Sequence, residues 1–195
     1  MNVATITPSA SEHNLEMDKT DLNAVDSIKE PVSPHPDLDY ITPNVEEHKK
    51  LLVTMRKACG WDAGSVPKWF VQQDEGQRFM SIFFLPGTTT PVGMGGFECQ
   101  DFDHQDKDVA DPETHRGCVV SLFIYKQYRG RGYLGKILEI VEEMARQKGL
   151  KTMTLYGLDK ALGYEKFGYK VFKVEDRSYG RDHGFYKTTF LEKPL

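Results

Sequence analysis

The stretch QYRGRGYLG, Gln127 to Gly135, constrains this chain more than any other. An apolar run, CVVSLFIY (Cys118–Tyr125), leads into it, and an amphipathic run leaves it. A strand, a sharp glycine turn and a helix in that order aim the free N–H groups and the positive end of the helix dipole into the turn. Gly130 and Gly132 allow positive φ and a close approach of backbone to a ligand. Arg129 and Arg131 can add charge-assisted hydrogen bonds to phosphate. The loop therefore suits a pyrophosphate. Two patterns overlap in it: Gly130, Gly132 and Gly135 spell G-x-G-x-x-G, the dinucleotide fingerprint, and Gln127, Gly130 and Gly132 spell Q-x-x-G-x-G.

Position argues against a dinucleotide. Only 60 residues follow Gly135, too few for two mononucleotide-binding halves. The runs before the loop, RFMSIFFL (Arg78–Leu85) and PVGMGGFECQ (Pro91–Gln100), are joined by PGTTT and read as an antiparallel hairpin. Asp159 stands where a ribose-binding acid would, but a helix N-cap explains it as well. On this reading Gly135 is incidental to the dinucleotide pattern.

Elsewhere the pattern is that of one mixed domain. Residues 1–37 hold few large apolar side chains and end in PVSPHP, a composition expected of a disordered acidic tail. Residues 1–40 carry eight acids against two lysines; the remaining 23 of the 25 bases face 21 of the 29 acids. So balanced a body gives no footprint for nucleic acid. No run is long and apolar enough to span a membrane, and no secretory leader is legible. Three cysteines (Cys59, Cys99, Cys118) without C-x-x-C spacing give no disulfide framework and no zinc site, and no metal is expected. A cytoplasmic protein is expected, with the nucleus left open, as a monomer or homodimer.

The domain, 38–195, opens with a short edge strand in LDYITP. Asn44 caps a helix from Val45 to Ala58 with Leu51, Leu52 and Met55 inward, and SVPKWFVQQ reads as a second helix with Pro67 in its first turn. Residues 101–117 form a long acidic loop. The helix after the glycine loop runs from Tyr133 to Lys148. Leu134, Ile137, Leu138, Val141, Met144 and Ala145 form its apolar face, and Glu139, Glu142, Glu143 and Arg146 face water. KTMTLYG is a strand, DKALGYEKF a short helix, and YKVFKVE and FYKTTFLEK are closing strands.

From Cys118 to Phe172 the chain resembles the GNAT superfamily of acyl-CoA-dependent N-acyltransferases. Gln127, Gly130 and Gly132 match its Q/R-x-x-G-x-G/A motif. GYEKFGYK, Gly163 to Lys170, resembles its YEKxGF segment, with Tyr169 in the Phe position. Leu134 departs from the further glycine of many members, Gly135 being displaced by one. The resemblance is clear over about 55 residues and looser from Tyr40 onward. It implies an α/β (α+β) fold: a mixed, mostly antiparallel sheet with helices on both faces, whose fourth and fifth strands are parallel and splay apart around acetyl-CoA. Leu122, Phe123 and Ile124 would offer backbone groups to the pantetheine arm. Arg129, Gly130, Arg131, Gly132, Tyr133, Leu134 and Gly135 would wrap the pyrophosphate, with Gln127 opening the motif and Lys160 close to the coenzyme.

The implied reaction is direct attack of an amine on the acetyl thioester. Tyr164 matches the tyrosine that protonates the leaving thiolate in many members. A backbone N–H of the fourth strand would stabilise the oxyanion. The general base is not fixed by the motif: CVVSLFIY offers only Ser121, so Glu98, acting through water, is the leading candidate, with His104, His115 and His183 behind it. The acidic loop reads either as a collar for a cationic amine or as an ordinary solvated loop. Trp61 and Trp69 read as acceptor contacts or as core. A small-molecule amine is the expected acceptor. The alternatives are a protein or peptide acetyltransferase (lysine or N-terminal) and a non-catalytic acyl-CoA-binding protein.

Overall fold

Asn44 sets the start of the first helix as its sequence demands. Its side chain accepts from the Glu47 N–H at 2.9 Å and donates to the Glu47 carboxylate at 3.0 Å, so cap and third residue satisfy each other. Helix α1 (Val45–Ala58) follows, with Glu46 and Glu47 at its positive end and Arg56 and Lys57 at its negative end. Helix α2 (Val66–Asp74) has Pro67 in its first turn. Helix α3 (Tyr133–Gln147) leaves the glycine loop. The computed structural model describes residues 35–158, 163–178 and 184–195.

Seven strands form one sheet: β1 (Asp39–Ile41), β2 (Arg78–Phe84), β3 (Pro91–Glu98), β4 (Arg116–Ile124), β5 (Thr152–Leu158), β6 (Lys170–Ser178) and β7 (Phe185–Pro194). Their spatial order is β1-β2-β3-β4-β5-β7-β6, and every neighbouring pair is antiparallel except β4 and β5. The alternation of β2 separates two cores. Met80 and Ile82 join Leu52, Met55, Trp69 and Phe70 under α1 and α2. Phe83, on the other face, packs with Ile137, Leu138, Val141 and Ala145 of α3. Helices thus cover both faces. Among the described residues no helix is long and apolar enough to cross a membrane.

Two irregularities in β4 shape the molecule. The parallel pairing to β5 is short: Arg116, Gly117 and Cys118 face Thr152, Met153 and Thr154, after which the strands part. Farther along, β3 and β4 pair at Met94↔Phe123 and Gly96↔Val120, so Ser121 and Leu122 together oppose Gly95. Two residues against one is a β-bulge, which leaves ladder groups unpaired. Ser121 adopts φ of 54°, a left-handed value uncommon for a residue with a Cβ.

The acidic loop is tied down by ion pairs at Asp101 and Asp106, while Asp103, Asp108 and Glu113 stay exposed. Asp101, buried, accepts from the backbone N–H groups of Asp103, His104 and Asp106 at 3.1, 3.1 and 3.3 Å. Arg177 of β6, also buried, pairs with Asp101, Asp106 and Glu175, and Lys173 reaches Asp106 at 2.8 Å. The loop is thereby stapled to the far edge of the sheet, and Val109 and Ala110 cover Cys118 and Phe190. Only a long-range contact supplies these cations, which local composition does not reveal.

Two further differences stand out. Glu142, read as solvent-facing, is buried and bonded to Lys193 at 2.6 Å, because the C-terminal strand passes beside α3. And three residues assigned to the tail are described: His35 and Pro36 lie on the start of α3, while Asp37 faces Lys136 at 3.7 Å. Of the expected helix DKALGYEKF, residues 159–162, with Asp159 and Lys160, lie outside the described residues, as does His183. Glu165–Phe167 form a 3₁₀ turn.

Candidate active site

The parting of β4 and β5 opens a cleft with two halves. One, about 810 Å³, is bordered by Leu122, Phe123 and Ile124 of β4, by the glycine loop and by Tyr164 and Phe167. The other, about 1200 Å³, lies between Val119–Leu122 of β4 and Leu155–Leu158 of β5, with Glu98, Arg78 and the α1–α2 turn on its walls. Leu122, Trp61 and Tyr164 border both halves and mark their junction.

The first half is built for an anion. Gly132 is the residue before α3, at φ of 86°, and neither a side-chain cap nor an acid occupies the first turn of the helix. The N–H groups there are left for a ligand. Gly130 takes φ of 75°, and Arg129 is held by its Nε–H donating to the Ile124 carbonyl at 2.9 Å. Of the residues expected on this side, Leu122, Phe123, Ile124, Arg129, Gly130, Gly132, Tyr133, Leu134 and Gly135 border the cleft. Gln127 and Arg131 are exposed and lie off its wall; Arg131 sits over the Tyr128 ring at 6.0 Å. Tyr128, Lys166, Phe167 and His35 border it without having been singled out by the motif.

Gly135 lies directly beneath a neighbouring ring. A Cβ built there would meet the His35 ring at 2.3 Å, and one at Gly132 would meet Pro36 at 3.0 Å. His35 therefore rests directly on the helix start, with its ring 6.0 Å from Phe167 and its Nε2 3.7 Å from Glu139. This contact spans a hundred residues of sequence, and no local pattern announces it.

Tyr164 precedes the 3₁₀ turn and packs against Tyr169, ring centroids 6.4 Å apart. Burial raises its phenol above the ordinary tyrosine range. Protonated throughout the physiological range, it can serve as a proton donor to a thiolate.

Glu98 borders only the second half. It is bonded to Arg78, whose Nε–H donates to Gln72 at 2.9 Å. Burial pushes the Glu98 carboxyl up to about 8, Arg78 opposing and Asp103 and Asp101 adding to the rise. His104 borders the same half, with Nε2 3.1 Å from the Ser178 carbonyl oxygen, whereas His115 lies off both walls, at the turn before β4. Trp69 is core and wall at once, 5% exposed; Trp61 is 39% exposed at the junction. Cys59, at the edge of the first half, has its thiol pushed up to about 11 by burial and is no nucleophile. Among the described residues no three His, Cys, Asp or Glu side chains gather to hold a metal.

The model of the acetyltransferase (GNAT) family matches residues 48–169, well over half of the chain. By sequence, no curated protein matches it. Among solved structures, an N-acetyltransferase from Staphylococcus aureus Mu50 is 13% identical with a TM-score of 0.61, covering 82% of this chain and 99% of its own. A ribosomal-protein-alanine N-acetyltransferase from Brucella melitensis is 12% identical with a TM-score of 0.61, covering 80% and 99%. The Salmonella typhimurium protein yncA, solved with its cofactor acetyl-CoA, is 13% identical with a TM-score of 0.58, covering 81% and 94%. At such identities these structures establish the fold, and the family match carries the chemistry. The chain belongs to the GNAT acetyltransferase family and takes its acetyl group from acetyl-CoA.

Proposed function

We propose that the protein acetylates a primary amine of a small molecule by direct attack, with the coenzyme in the first half of the cleft and the acceptor in the second. The observation that carries this reading is the junction: Tyr164 and Leu122 border both halves, so donor and acceptor can meet there and nowhere else along the described walls. Leu122–Ile124, the loop Arg129–Gly135 and, from the resemblance, Gln127 and Lys160 are the proposed coenzyme contacts. Acetyl-CoA supplies the acetyl thioester.

The residues divide the work by position. Glu98 receives the ammonium proton through water, since a protonated amine has no lone pair to attack with. The amine nitrogen then bonds to the acetyl carbon, and the carbon–sulfur bond breaks. Backbone groups freed from the ladder at Ser121 and Leu122 face the charge that develops on the carbonyl oxygen. Tyr164 gives its proton to the departing thiolate, and the second proton of the attacking nitrogen leaves through water to restore the Tyr164 phenol. We assign the protein to the cytoplasm.

The test is thiol release from acetyl-CoA over a panel of amines. Turnover with small amines, with kcat lowered about a hundredfold or more in Tyr164→Phe, is expected. Coenzyme binding without turnover on any amine would make the protein a binding module. Turnover confined to peptide amines would move it to the protein acetyltransferases.

A further inference from the structure

The second half of the cleft holds an arginine that makes no direct contact with a carboxylate among the described residues. Arg56, in the last turn of α1, is stacked between two indoles, its guanidinium carbon 5.0 Å from the centres of both Trp61 and Trp69. Its Nε–H donates to the Asp62 carbonyl at 2.9 Å. These contacts fix the plane of the fork. Its terminal nitrogens have neither a hydrogen-bond acceptor nor a carboxylate partner among the described residues, and Arg56 borders the cleft. A half-buried guanidinium, oriented but not paired, is a preorganised half of a bidentate carboxylate site.

A second charge in the same half complements it. The Asp103 carboxylate also borders the cleft and makes no hydrogen bond or ion pair with a described residue. Neither Asp62 nor Asp103 forms an ion pair with Arg56, although Arg56 lies within the field of both. The remaining charges nearby are committed: Arg78 to Glu98, and an Asp62 oxygen to the Gly64 N–H at 3.1 Å. A space walled by an open cation and an open anion suits a molecule carrying both signs. With the Arg78–Glu98 pair set aside, two acids, Asp62 and Asp103, share the wall with one open guanidinium, so a singly charged carboxylate is favoured over a doubly charged phosphate.

Resting on the function proposed above, we infer that the acceptor is a zwitterionic amine of the amino-acid class, its carboxylate held by Arg56 and its ammonium end drawn in by Asp103. Acetylation removes the positive charge of the amine and leaves the carboxylate on Arg56 unchanged, so the arginine orients substrate and product alike. A lysine side chain or an N-terminal amine within a protein carries no neighbouring carboxylate and forgoes this contact. The acceptors are therefore free amino acids or close relatives.

The experiment measures thiol release from acetyl-CoA with the full chain, for sets of matched acceptors: a free amino acid, its carboxamide, and the amine lacking the carboxyl group. The free acid is expected to exceed both partners at least tenfold in kcat/KM. Arg56→Gln should lower kcat/KM for the acid about tenfold to a hundredfold, leave the carboxamide within about twofold and leave CoA affinity unchanged. Arg56→Lys should fall between, because an ammonium keeps the charge and loses the fork. Carboxamides or simple amines turned over as well as acids would overturn the inference and leave the acetyltransferase reading standing. So would Arg56→Gln lowering every acceptor alike with CoA affinity intact. Absence of thiol release with every amine, with CoA still bound, would overturn both.

Discussion

A single buried carboxyl decides how this cleft answers to pH. Glu98 is held up to about 8 by burial, so below that value it carries a proton and cannot accept another. In the role proposed for it, kcat/KM should climb with pH and level off just above 8, and Glu98→Gln should remove that limb. A limb that survives the substitution unchanged would move the role to another group, His104 being the nearest candidate on the same wall. Stability runs the other way. The native state holds the Glu98 proton more tightly than the unfolded chain, so this group's contribution falls as pH rises from the ordinary carboxyl value of about 4.3 through about 8. Urea titrations across that window should show the decline, and Glu98→Gln should flatten it. Gly132 offers a second residue-scale check. Its φ of 86° strains any residue with a Cβ, and Pro36 at 3.0 Å would have to give way. Gly132→Val should cost at least about 1 kcal/mol of stability and should abolish measurable CoA binding by calorimetry.

At the level of elements, the sheet is two leaves joined at three residue pairs, and the far leaf is braced by the acidic loop. Arg177 is central to that brace because both it and Asp101 are buried. Arg177→Leu removes the cation and leaves the buried Asp101 carboxylate to its backbone N–H donors, a loss of about 1.5 to 3 kcal/mol. Chemical denaturation should register the loss, and hydrogen exchange should show residues 101–111 losing protection first. What the sequence declared about elements followed from whether the cause was local. Asn44 and Pro67 marked helix starts within a residue or so, because a cap is chemistry between neighbours. The alternation in RFMSIFF gave a strand whose two faces feed two cores. The ion pairs that tie down the acidic loop were not legible within it, since its cations sit some 70 residues away on β6. The burial of Glu142 was missed for the same reason: Lys193 answers it from the end of the chain. The bulge at Ser121 left no trace in CVVSLFIY, where a run of apolar residues reads as an uninterrupted strand.

For the molecule as a whole, the two motifs flanking one strand were enough to name most residues that border the first half of the cleft, because their spacing encodes a loop and a turn that the parallel pair brings together. The second half was less legible. Arg56, Asp103, Trp61 and Glu98 come from an α1–α2 turn, a loop and a hairpin strand, and only the folded sheet gathers them. Coenzyme that binds the native cleft alone should stabilise the entire domain. At a hundred times its Kd the gain is about 2.7 kcal/mol, a rise in Tm of about 5 to 10 °C for a chain of this size. Calorimetric scans with and without CoA would measure it. The seat of His35 on Gly135 bears on that number. A ligand coming down onto the start of α3 must first move an imidazole that already lies there. Association is then an exchange of one occupant for another, and the observed constant is the intrinsic one divided by the fraction of molecules whose seat is vacant.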